Sequence, residues 1–75
     1  MNTQDKILNF FNEKGITGIE YDTDLFAGGY VNSLFAIEIV MYIEDEFDVK
    51  IKNKDITEKN FKTVNNIADT VEKYL

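Results

Sequence analysis

Gly28-Gly29-Tyr30-Val31-Asn32-Ser33-Leu34-Phe35-Ala36-Ile37-Glu38-Ile39-Val40-Met41-Tyr42-Ile43-Glu44-Asp45-Glu46-Phe47 is the stretch from which the fold can be read. A glycine pair gives way to a long helical pattern, and Asn32, a good N-cap, fixes the boundary at Ser33. Placed at helical intervals, Ala36, Ile39, Val40, Ile43 and Phe47 fall on one face, which predicts the core side of a helix over about Ser33–Phe47. Leu34, Ile37, Glu38, Met41, Glu44, Asp45 and Asp48 fall opposite. A purely solvated face has no need of Leu34, Ile37 and Met41. Together with the acids they predict a small apolar patch rimmed by negative charge, suited to brief docking on a partner.

Outward from this helix the pattern stays helical. Ile7, Leu8, Phe10 and Phe11 form the apolar side of a first helix over about Thr3–Lys14, with Gly15 as its stop. Gly15 to Asn32 is a long connection of the kind that is usually functional or disordered. Its Ile16, Ile19, Tyr21, Leu25 and Phe26 predict that it is pinned to the core. Val49-Lys50-Ile51 leaves the second helix extended, and a short third helix is expected over Asp55–Asn60. The last helix begins after Thr63, a reasonable N-cap. Val64, Ile67, Ala68, Val71, Tyr74 and Leu75 share one of its faces. The reading is all-α: three longer helices, one short third helix and a long first loop, in one domain over residues 1–75. A core of this size contributes no more than roughly 3–5 kcal/mol.

The charge is unevenly spread. Eight lysines face fourteen acids, for a net charge of −6. Between Lys14 and Lys50 there is no basic residue, while Glu20, Asp22, Asp24, Glu38, Glu44, Asp45, Glu46 and Asp48 all lie there. Nucleic acid is not an expected partner, because phosphate contacts need a basic face. A basic protein surface is the natural complement. The chain has no Cys and no His, so thiolate metal sites, disulfides and the commonest general base are all missing. The acids crowded at Glu44–Asp48 point in different directions on a helix and predict a solvated surface, not a metal site. Asp22-Thr23-Asp24 lacks the later Gly and Glu of a calcium loop. No segment reads as a signal peptide or membrane span, so a monomeric cytoplasmic protein is expected.

Ser33 can be read as a nucleophile or as an acceptor. As a nucleophile it needs a base, and neither a His nor a nearby Lys supplies one. The loop is not G-x-S-x-G and lacks the lysine of a P-loop. As an acceptor it needs only an exposed hydroxyl in a defined place, with the modifying enzyme supplying base and metal. A helix N-terminus favours an attached phosphate by roughly 0.3–1 kcal/mol.

Gly28-Gly29-Tyr30-Val31-Asn32-Ser33-Leu34, with Phe35-Ala36-Ile37-Glu38-Ile39-Val40, Ile43-Glu44-Asp45-Glu46-Phe47-Asp48-Val49 and the late Thr63-Val64, resembles the acyl and peptidyl carrier proteins over essentially the whole chain. The resemblance implies a four-helix bundle of acyl-carrier-protein type without catalytic residues of its own. It implies that Ser33 receives 4′-phosphopantetheine from coenzyme A, and that the second helix, with Asn32, Leu34, Ile37, Glu38, Met41, Glu44 and Asp45, is the docking surface. The implied partners are a phosphopantetheinyl transferase, a loading enzyme (adenylation enzyme or acyltransferase) and downstream synthase or modifying enzymes. Asn32 stands where the family most often has Asp; it keeps the cap but loses a charge that helps engage the transferase and its magnesium ion. That difference points to a narrower transferase partner. The spacing of the glycines from Ser33 and the Phe35-Ala36 pair look like stand-alone carriers. Polyketide or nonribosomal-peptide-type biosynthesis is the expected setting, with D-alanine for cell-wall esterification or a fatty acyl chain as alternative cargo. An unmodified acidic adaptor is the rival from another class.

Overall fold

A computed structural model describes residues 2–75. Three α-helices are present among them: α1 over Thr3–Glu13, α2 over Ser33–Phe47 and α3 over Val64–Glu72. Each begins on a residue whose side chain replaces a missing backbone partner. Asn2 accepts from the Asp5 N–H at 2.7 Å, Asn32 from Phe35 N–H at 2.8 Å and Thr63 from Asn66 N–H at 3.0 Å. α1 ends on a Schellman motif. Gly15 N–H donates to Asn12 O at 3.0 Å and Ile16 N–H to Phe11 O at 2.9 Å, and Gly15 takes the required positive φ of 87°. α2 has no glycine to end it, and Asp48 takes the left-handed conformation instead, with φ 55°. Asp is among the few side-chain-bearing residues that visit that region.

The helices close around Ile7, Phe11, Ile39, Ile43, Val64, Ile67 and Val71, all fully buried. Phe10 joins them at the edge, stacked on Tyr42 with ring centroids 4.4 Å apart. The core face predicted for α2 is seen at Ile39, Val40 and Ile43, while Ala36 and Phe47 are half-buried at its margins. On α3, Val64, Ile67, Ala68 and Val71 are buried. Leu75 departs from its predicted face and lies 67 % exposed, because α3 stops at Glu72 and the helical period no longer carries it inward.

The long first loop is pinned as its composition predicts. Ile19, Leu25 and Val31 are buried. Leu25 N–H donates to Lys62 O at 2.8 Å, and Tyr21 O accepts from Asn65 N–H at 3.0 Å, so the loop bonds to the chain at the start of α3. Asp24 Oδ1 accepts from Phe26 and Ala27 N–H, a local Asx arrangement that turns the chain toward the glycines. This carboxylate thus works as a backbone cap.

The single short helix expected over Asp55–Asn60 is not what forms. Two 3₁₀ turns stand there, Asn53–Asp55 and Lys59–Phe61. Ile56 breaks them apart with ψ 81°. Thr57 Oγ1 accepts from Asn60 N–H at 3.2 Å, and Asn60 Nδ2 donates to Asp55 O at 2.8 Å. Short polar side chains here bond to the backbone and compete with a continuous helix.

Candidate functional site

Ser33 is the first residue of α2, and it is exposed. The loop delivers it there through a tight return. Tyr30 and Val31 N–H both donate to Leu25 O, at 2.9 and 3.1 Å, and Gly29 N–H donates to Phe26 O at 3.1 Å. Gly29 adopts φ 76°, a conformation that side-chain-bearing residues rarely take. Val31 is buried two residues before Ser33, so the approach to the hydroxyl is anchored in the core. Asn32 caps through its Oδ1, and its backbone carbonyl accepts from Ala36 N–H at 2.9 Å. The N–H groups of Ser33 and Leu34 are left facing the helix mouth, where partial positive charge favours an anion.

Beside Ser33 lies a pocket of about 230 Å³ between α2, the first loop and the Ile56–Phe61 segment. Phe26, Ala36, Ile37, Ile56 and Phe61 give it apolar walls, and Thr57 and Glu58 add polar groups. Sequence reading placed Phe26 in the core and did not find this pocket. Its far wall comes from residues distant in the chain, and no local pattern announces that they meet Ser33.

The residues predicted as a docking face divide between two places. Leu34, Ile37 and Met41 are exposed at 73, 57 and 64 %, as the helical phase predicts. Ile37 borders the Ser33 pocket. Glu38, Met41, Glu44 and Asp45 line a groove of about 640 Å³ with Phe10, Lys14 and Tyr42 of the α1–α2 seam. Glu44 also has a local task, since its Oε2 accepts from Ile51 N–H at 3.1 Å and holds the exit from α2. α1 also brings positive charge to this face. Lys14 Nζ lies 3.5 Å from Glu38 and Lys6 Nζ 3.7 Å from Glu46. Both pairs are exposed and so contribute little to stability. The Lys14–Glu38 pair makes the docking face a mosaic, less uniformly negative than the lysine-free run of sequence predicts, while Lys6 and Glu46 lie outside the groove.

Three tyrosines are tied to this framework. Burial pushes Tyr42 up to about 12, with the charges of Glu46 and Glu13 acting in the same direction, and its hydroxyl donates to Lys6 O at 3.0 Å. Tyr21 and Tyr74 are raised chiefly because their hydroxyls donate to Asp5 and Asp55. The Tyr74 bond, more than any nearby lysine, holds Asp55 below the usual carboxylate range. Among the described residues no group of three or more His, Cys, Asp or Glu converges as a metal site, and no helix is long and apolar enough to cross a membrane.

The bundle is all-α and presents its one serine, exposed, on the first turn of an acid-bearing helix. Residues 6–71 match the family described as phosphopantetheine attachment site, and the chain belongs to that family. A D-alanyl carrier protein of Streptococcus uberis is 28 % identical over 75 residues, covering 96 % of this chain and 94 % of the relative. A D-alanyl carrier protein of Streptococcus equi subsp. zooepidemicus is 26 % identical over 74 residues, with the same coverage. The chain therefore carries substrates on a covalently attached 4′-phosphopantetheine, does no catalysis itself, and works with a phosphopantetheinyl transferase and loading enzymes. The adaptor reading falls with this family membership.

Proposed function

We propose that Ser33 is the attachment point and that the cargo is a small aminoacyl group of the D-alanyl class. The observation that carries the first half is the placement of Ser33: exposed, on the first turn of α2, behind a loop fixed by Leu25 and Val31. In priming, the Ser33 hydroxyl bonds to the phosphorus next to pantetheine in coenzyme A. The pyrophosphate P–O bond breaks, the adenosine bisphosphate leaves, and the serine proton passes to a base of the transferase. The attached group then supplies a terminal thiol that holds cargo as a thioester, which this Cys-free chain lacks. The phosphodiester fits the site, because the free N–H groups of the first turn favour its charge. Asn32 holds the helix mouth in place without adding a competing negative charge.

Two observations favour small cargo. The similar relatives from Streptococcus uberis and Streptococcus equi are D-alanyl carriers, the alternative cargo in the sequence reading. The pocket beside Ser33 holds about 230 Å³, below the roughly 300–1,000 Å³ of pockets that enclose drug-sized ligands. A long fatty chain is a poor match for it.

The docking face proposed for the loading enzyme is Asn32, Leu34, Ile37, Glu38, Met41, Glu44 and Asp45. A basic patch on the partner would meet Glu38 and Asp45, with Leu34 and Met41 giving a small dry contact. A single cytoplasmic carrier domain over residues 1–75, acting as a monomer, completes the reading. The test is competitive loading. The primed chain is offered D-alanine with a D-alanine-activating adenylation enzyme, and malonyl and long-chain acyl donors with their own transferases. Preferential D-alanyl thioester formation is expected. Preferential malonyl or long-chain loading would overturn the cargo assignment.

A further inference from the structure

One wall of the Ser33 pocket belongs to neither α2 nor the first loop. Ile56, Thr57 and Glu58 form it, and they lie between the two 3₁₀ turns. The segment is anchored at both ends. Ile51 is buried and its N–H donates to Glu44, and Phe61 is 1 % exposed. Between these anchors, from residue 52 to residue 60, no side chain is fully buried. Apolar packing therefore leaves the middle of the wall lightly held.

A polar cluster at the end of α3 ties it down. The Tyr74 hydroxyl donates to Asp55 Oδ2 and accepts from Lys52 N–H at 3.2 Å. Lys73 Nζ lies 3.7 Å from Asp55 Oδ1. Asp55 directly precedes Ile56, and its carbonyl accepts from Asn60 Nδ2, so a restraint on Asp55 reaches across the wall. Tyr74 itself sits past the last α-helical residue, held by a bond from its N–H to Val71 O at 2.9 Å. Helix ends open at lower cost than cores. The tie thus joins a lightly packed wall to a helix terminus, and it can release without disturbing Ile67 or Val71.

From this we infer that Tyr74 is a latch, a positioning residue that sets how far the Ile56–Glu58 wall opens beside Ser33 and so how well the attached thioester is shielded from water. The shielding half of this rests on Ser33 as the attachment point. The latch itself does not.

Hydrogen exchange on the unprimed chain, wild type against Tyr74→Phe, tests the latch. Tyr74→Phe keeps the ring and removes only the hydroxyl. Exchange at Asp55 and Ile56, whose N–H groups are bonded to Lys52 O and Asn53 O at the edge of the wall, is expected to rise about three- to tenfold, the scale of losing one hydrogen bond, with Ile67–Val71 unchanged. Asp55→Asn, which keeps an acceptor oxygen but not the charge, is expected to fall between the two. On the primed chain loaded with D-alanine, hydrolysis of the thioester is expected to quicken in the same order. A uniform rise through α3 would show Tyr74 to be a general structural support, and unchanged exchange at the wall would remove the latch. Faster exchange with unchanged hydrolysis would remove its shielding role. Failure of the Ser33 assignment shows separately, as priming that persists in Ser33→Ala, and the exchange comparison on the unprimed chain still decides the latch.

Discussion

The two long connections of this bundle invert the usual expectation about regular structure. The first, from Lys14 to Asn32, contains no helix, yet it buries Ile19, Leu25 and Val31 and bonds through Leu25 and Tyr21 to the chain around α3. The second, from Asp48 to Thr63, contains two 3₁₀ turns, yet its middle buries nothing completely and depends on one tyrosine. Regular hydrogen bonding is therefore a poor guide to which connection is firm. Burial decides it, and here burial makes the first loop a rigid mount for Ser33 and leaves the second as the wall that can yield.

Truncating an apolar side chain in each connection is the strongest way to break this contrast. Leu25→Ala is expected to cost about 2–5 kcal/mol, enough to unfold much of so small a domain. Ile56→Ala, at a half-buried site, is expected to cost less than half as much. Equal losses in urea melts would end the distinction. Backbone strain gives a smaller effect in the same direction. Gly29→Ala places a Cβ at φ 76° and is expected to cost about 1–2 kcal/mol. A loss within a few tenths would mean that the loop adjusts freely and is no rigid mount.

Titration probes the seams that hold each region. Tyr42 is raised to about 12, so its contribution is present below the ordinary tyrosine value of 10.0 and is lost as pH rises from there toward 12. Ionisation also removes the donor to Lys6 O. Tyr42→Phe is expected to flatten the alkaline fall in melting temperature. Asp55 is lowered, so its contribution is present above the ordinary value of 3.8 and is lost as pH falls through its folded value. Asp55→Asn is expected to weaken the acid dependence of the Ile56–Glu58 wall more than that of the first loop. Identical acid profiles for the two connections would contradict it.

The smallest effect on stability, and the sharpest on function, concerns α2. Glu38→Lys and Asp45→Lys are exposed changes and are expected to alter stability by no more than about 0.5 kcal/mol. Both are expected to slow loading by partner enzymes, most at low salt. Asn32→Asp keeps the cap and is expected to widen the range of transferases that prime the chain. Unchanged kinetics in all three would remove the docking role of this face.

Much of this was legible in the sequence because it is local. Asn32, Thr63 and Gly15 announce helix ends within a few residues, and the period of Ile39, Val40 and Ile43 gives the buried face directly. Leu25 and Ile19 showed that the loop was pinned, because apolar residues in a glycine-bearing connection need a core to join. The rest depends on distant pairs. Nothing near Tyr74 indicates that its hydroxyl reaches Asp55, and nothing near Glu58 indicates that it borders Ser33. Thr57 and Asn60 broke the predicted third helix through side-chain bonds to backbone, a competition that apolar periodicity does not register. The lysines of α1 moderate the acids of α2 only once the two helices are packed together.

Ser33 as the tether is the claim on which the account turns. Its most direct test is the intact mass of the chain after incubation with coenzyme A and a broad-specificity phosphopantetheinyl transferase, wild type beside Ser33→Ala. One added phosphopantetheine on the wild type and none on Ser33→Ala is the predicted result. An equal gain on both chains, or no gain on a folded wild type with any transferase tried, would contradict it.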